Sequence, residues 1–189
     1  ADSTSLILAM RDPSTMGRLG FTEATMISLF IPNTYEVWWN ERPTDLLSRM
    51  AREYKRFWSE ERRAKAATFG LSLTEVSTLA SIVQAETAKR DEAPKIAGVY
   101  LNRLRIGMPL QADPTLKFAL GLDSVNRVLD ADKRVDSPYN TYTHSGLPPG
   151  PINMPEPDFL DAVLNAAEHD HLYFCARETL DGYSNFAKT

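Results

Sequence analysis

The sequence predicts an α+β fold, mostly helical with a small number of short strands. Several stretches place apolar residues at helical spacing between capping and stop signals. Only two runs, 29–39 (L-F-I-P-N-T-Y-E-V-W-W) and 172–176 (L-Y-F-C-A), have strand-like apolar and aromatic density. At 189 residues and 43% apolar content, the chain can bury a full core.

Taken in order, residues 1–28 form short helices broken at Pro13 and Gly20. The run at 29–39 is expected to be a strand with a proline bend. Thr44 can cap a helix continuing to about Phe69, with Gly70 as its stop. Ser72 opens the next helix, expected to reach Arg90, and Glu75 three residues on completes a capping box. Pro94 starts a helix through Arg105 that Gly107 ends. Residues 110–115 (L-Q-A-D-P-T) are extended and turn into a short helix, with Asp113 as N-cap and Pro114 at the first helical position. Residues 137–155 hold five prolines and two glycines together with two tyrosines and two asparagines, a rigid, polar and aromatic loop suited to ligand contact. A helix at 158–167, a strand at 172–176 and a turn at Asp181-Gly182 complete the order.

Charge and composition exclude several classes of function. A net charge of −4 argues against a nucleic-acid partner, which needs a concentrated basic surface. The densest basic cluster, 52–65, interleaves Glu53, Glu60 and Glu61 with its cations and reads as a solvated helical face. The single cysteine, Cys175, precludes an internal disulfide and is expected to be a small buried hydrophobe. His144, His169 and His171 lack the helical i, i+4 spacing of a zinc motif, and neither a G-x-S-x-G elbow nor a phosphate-cradling loop is present.

One carboxylate stands out. In the helix from Ser72, the residues Leu79, Ile82 and Val83 form a core-facing stripe, and Glu86 is its i+7 member, within about 20° of Leu79. Gln84 points to nearly the opposite face. Burial on such a stripe disfavours the charged form and raises the pKa, as a proton donor near neutral pH requires. An ordinary Glu, with a pKa of about 4.3, is protonated only about 0.2% of the time at pH 7. A structural alternative is an ion pair with Lys89 or Arg90 at i+3 and i+4. Glu75 shares the face but lies about 16 Å along the axis, beyond the separation of a two-carboxylate glycosidase site. Asp113 could be brought close by folding.

Four strings in order carry a family resemblance: A-S-I-V-Q-A-E-T at 80–87, V-Y-L-N-R-L-R-I-G-M-P-L-Q-A-D-P-T at 99–115, S-P-Y-N-T-Y at 137–142 and G-L-P-P-G-P-I at 146–152. With L-F-I-P-N-T-Y at 29–35, they resemble the YceG-like (MltG) family of endolytic murein transglycosylases. The resemblance implies a catalytic domain at 29–189, with 1–28 as a lead-in or the tail of a LysM-like module. It makes Glu86 the catalytic acid and base, with Gln84 standing where the family often has a second Glu. Gln111, Asp113, Asn140 and Tyr142 become candidates for orienting the glycan, while Asn102 and Arg103 can equally be structural. Expected with it are peptidoglycan strands as substrate, peptidoglycan synthases as further partners, and neither cofactor nor metal. The family's location is the periplasmic face of the cytoplasmic membrane, anchored by an N-terminal helix that this sequence does not contain. Two other readings of the residues remain open: a hydrolytic muramidase using Asp113, and a non-catalytic peptidoglycan-binding scaffold.

Overall fold

A computed structural model describes residues 2–121, 130–179 and 181–188. Its helices are α1 (Ser3–Arg11), α2 (Pro13–Leu19), α3 (Pro43–Phe57), α4 (Glu60–Thr68), α5 (Leu73–Glu86), α6 (Ala93–Arg105), α7 (Asp113–Leu120) and α8 (Pro157–Leu164). A two-stranded antiparallel sheet of β1 (Tyr173–Ala176) and β2 (Ser184–Ala187) pairs Tyr173 with Ala187 and Ala176 with Ser184. The mostly helical α+β class is therefore found.

The centre of the molecule is α5. Ser72 caps it with the expected box, its hydroxyl accepting from Glu75 N–H while the Glu75 carboxylate accepts from Ser72 N–H. Every residue from Val76 to Val83 is buried, so the helix has no solvent face over that length. It packs against α4, α6, α7 and α8, and its polar side chains bond inward to their own helix: Ser77 to Leu73, Thr78 to Thr74 and Ser81 to Thr78 carbonyls. The single-stripe expectation thus understates its burial. Near Gly98 the backbone of α6 meets residues 167–169 so closely that an added Cβ would lie 2.5 Å from the Ala167 carbonyl oxygen.

Several boundaries differ from expectation. No strand forms among the described residues at 29–39; Met26–Leu29 is a 3-10 turn, and the following residues have no neighbouring strand to bond. The helix expected from Thr44 to Phe69 is two helices. Trp58 leaves the helical path and is fully buried, and Ser59 caps α4 by accepting from Arg62 N–H. Gly70 does stop α4, at φ +68°. Asp113 is the first residue of α7 rather than its cap, and its carboxylate is engaged elsewhere. Cys175 is exposed, because the two-stranded sheet covers only one of its faces. Residues 3–29 pack their own small cluster, Met26 and Leu29 against Leu47 and Met50 of α3. Among the described residues no single helix is long and apolar enough to cross a membrane.

Candidate active site

The helix α5 ends at Glu86, not at Arg90. Thr87 leaves the helix in extended conformation, which removes Lys89 and Arg90 from the i+3 and i+4 positions. Arg90 instead pairs with Glu156 and Asp158, and Lys89 lies over the Tyr183 ring. Glu86 is left lining a cleft of about 190 Å³ with Tyr100, Arg103, Gln111, Asp113, Tyr142 and Phe174.

Burial is the main influence on Glu86 and pushes its pKa from 4.5 up to about 7. The Tyr100 hydroxyl, donating to Oε1 at 2.8 Å, opposes this by favouring the ionised form. Asp113 adds to the rise through charge repulsion, while Arg103 and Lys117 reduce it. With Oε1 held by Tyr100, the proton of the neutral acid belongs on Oε2. One carboxyl is thereby given a fixed orientation and a titration point near neutrality, the two properties a general acid and base needs.

Each wall has its own support. Tyr100 is fully buried on α6, with its ring edge-on to Phe174 of β1 at 5.9 Å, and burial drives its own pKa well above the ordinary value. Arg103, one turn on, donates to the carbonyls of Leu172 (2.7 Å) and Leu110 (2.5 Å), tying the sheet and the 110–113 segment to α6. Gln111 is the one described non-glycine residue with positive φ, +50°, a costly conformation that marks functional sites. Its N–H donates to the Thr141 carbonyl, and the Thr141 hydroxyl accepts from Ala112 N–H and bonds that of Thr115. The loop at 137–142 and the start of α7 are thus locked together. Tyr142 donates its hydroxyl to Asp113 Oδ1 at 2.5 Å, and burial raises its pKa far above the usual phenol value.

Of the residues singled out from the sequence, Glu86, Gln111, Asp113 and Tyr142 line one cleft. Asn140 does not. It is fully buried, and its amide donates to the Lys133 and Val135 carbonyls while its oxygen accepts from Tyr142 N–H, so it shapes the loop that presents Tyr142. Asn102 likewise holds the carbonyls of His169 and His171. Gln84 turns away from the cleft and accepts from Glu156 N–H at 2.7 Å. Tyr100 and Phe174 were not anticipated as site residues. A signal for Tyr100 did exist, since a tyrosine on the apolar face of a helix needs a partner for its hydroxyl. Phe174 carries no such mark, because the pairing that brings it to the cleft is long-range.

Comparison with known proteins gives a consistent picture. The profile of the YceG-like family matches residues 4–189. The chain is 41% identical over 119 residues to an endolytic murein transglycosylase of Bacillus subtilis, covering 63% of this chain and 32% of that protein. It is 40% identical over 113 residues to one of Streptococcus pneumoniae, covering 58% of this chain and 20% of that protein. The chain therefore spans a third or less of these relatives' length. The crystal structure of a yceG-like protein from Listeria monocytogenes superposes with a TM-score of 0.82 at 27% identity, over 100% of this chain and 66% of that one.

Proposed function

The chain belongs to the YceG-like family, and from that premise we propose that it is an endolytic lytic transglycosylase of peptidoglycan. The observation that carries this reading is the Glu86 carboxyl, oriented by Tyr100 and titrating near pH 7 inside an open cleft. At neutral pH about half of such a group is protonated, so it can donate a proton and take one back within a single turnover.

The acid form of Glu86 protonates the glycosidic oxygen between N-acetylmuramic acid and N-acetylglucosamine. The C1–O bond breaks as an oxocarbenium-like centre develops on the muramic ring. Glu86, now ionised, accepts the proton of the muramic 6-hydroxyl, and O6 bonds to C1. A 1,6-anhydro end and a free 4-hydroxyl result, and no water is consumed. Asp113 and Tyr142, bonded to each other in the same cleft, together with Gln111, are the groups assigned to orient the sugar. In this reading residues 29–189 carry the catalytic unit and 1–28 lead into it. Since the substrate lies outside the cytoplasmic membrane, the proposed working place is its outer, periplasmic face, beside peptidoglycan synthases and held by a membrane helix.

Mass spectrometry of products from purified strands in heavy-oxygen water tests the reaction. The expected products are one water lighter than hydrolysis products and unlabelled. Labelled reducing ends as the main product would instead establish hydrolysis, with Asp113 positioning water. Absence of any turnover would leave a binding scaffold.

A further inference from the structure

Beside the catalytic cleft a second hollow of about 260 Å³ opens between Ala85, Pro114, Lys117, Phe118, Ile152 and Asn153. Consecutive residues line the two: Ala85 precedes Glu86, and Pro114 follows Asp113, with neighbouring Cα atoms about 3.8 Å apart. Its walls are set by packing and hydrogen bonds within the chain. Ile152 N–H donates to the Ser81 hydroxyl at 3.0 Å and the Asn153 amide donates to the Ser81 carbonyl at 2.9 Å, pinning the proline-rich loop to the buried middle of α5. The Phe118 ring, 40% exposed, rests on Tyr139 at 4.7 Å between centroids.

This hollow is lined by Ala85, Pro114, Phe118 and Ile152 together with one amide, Asn153, and one charge. Lys117 is the cation, and no carboxylate among the described residues forms an ion pair with it. The other cations nearby are occupied: Lys133 pairs with Asp130, and Arg103 is spent on two carbonyls. Lys117 follows Asp113 by one turn of α7, on the same face of the helix, so a ligand held by Lys117 lies next to the wall of the catalytic cleft that Asp113 forms. Neutral sugar hydroxyls do not call for an ammonium without an ion-pair partner beside apolar side chains; a carboxylate with small apolar neighbours does.

On the activity proposed above, which this inference rests on, the substrate carries such a group near the scissile bond. Muramic acid bears a lactyl ether extended by a short peptide with methyl side chains and free carboxylates. The geometry points to the hollow between α7 and the 146–155 loop as the subsite for that peptide. Lys117 pairs with a peptide carboxylate there, and Pro114, Phe118 and Ile152 cover its methyl groups. The site then reads the substituent on the sugar as well as the sugar itself.

The test compares kcat/KM on uncross-linked strands with intact peptides, on the same strands stripped by an amidase, and on strands whose peptide carboxylates have been amidated. The wild-type chain should favour intact strands over both others by at least about tenfold, the worth of one charge-assisted hydrogen bond. Lys117→Glu should abolish that preference, and Lys117→Arg should retain it. An equal loss on all three substrates in Lys117→Glu, or a wild type without preference, overturns the subsite while turnover of stripped strands still supports the lytic reading. No turnover of any strand by the wild type overturns both.

Discussion

Replacing Glu86 by Gln should make the protein inactive and, above neutral pH, more stable. The carboxyl titrates near 7 in the folded chain against 4.5 for the ordinary group. Between those values the native state holds more protons than the unfolded state, so stability falls as pH rises across that window. At about 1.4 kcal/mol per pH unit, the ionised carboxylate costs the fold up to about 3 kcal/mol above pH 7. Glu86 is partly exposed, and solvent screening makes that figure an upper bound. Gln keeps the shape and still accepts the Tyr100 hydroxyl, but carries no charge and cannot return a proton. Thermal melts from pH 4 to 8 should therefore show the variant gaining on the wild type as pH rises, by up to roughly 6 to 12 °C at pH 8, and matching it below pH 4.5. Strand cleavage measured in parallel should be lost. A variant that melts well below the wild type at pH 8 would show that the ionised carboxylate is held by favourable partners, as a structural ion pair would be. Wild-type turnover would remove Glu86 from the chemistry.

Two further substitutions probe the surroundings of the same group. Tyr100→Phe removes the donor that favours ionised Glu86, so the alkaline limb of the kcat/KM profile should move up by about half to one pH unit, with kcat lowered roughly tenfold by lost orientation. An unmoved limb with unchanged kcat would show that the bond neither tunes nor positions the acid. Gln84→Ala should leave cleavage within a few fold while costing about 1 kcal/mol in a denaturant titration, because Glu156 N–H loses its acceptor. A loss of activity as deep as that of Glu86→Gln would relocate the acid to position 84.

What the sequence made legible was local. The Ser72 and Glu75 capping box, the Gly70 stop and the Pro94 helix start are each decided within four residues, and each is found. The break at Trp58 was also written locally, since Ser59 followed by Glu60 and Glu61 is a helix-start signal, but the longer amphipathic pattern obscured it. The 29–39 run failed for the opposite reason. Strand propensity is realised only against a partner, and β1 pairs instead with β2, a strand the sequence did not announce. Likewise, Asn140 could be recognised as a loop residue of the site region, yet only the fold reveals that its amide is consumed by carbonyls at 133 and 135.

The position of Glu86 on its helix was both the clearest sequence signal and the point most changed by the structure. Placed mid-helix, the residue would have had Lys89 and Arg90 on its own face, and an ion pair would have lowered its pKa. Ending α5 at Glu86 reverses this. Both cations are carried off with the departing chain, to partners at Tyr183 and at Glu156 and Asp158. The carboxyl stays at a helix C-terminus, where the backbone carbonyls present partial negative charge and further disfavour a carboxylate. Helix termination thus acts with burial to keep the acid protonated near neutrality, and Tyr100 limits the rise most, ahead of Arg103 and Lys117. A variant that extended α5 by a turn, returning Lys89 to the i+3 position, would be expected to restore the ion pair and lower the alkaline limb of the activity profile. An alkaline limb unchanged after such an extension, with helix growth verified by circular dichroism, would show that burial alone sets the titration of Glu86.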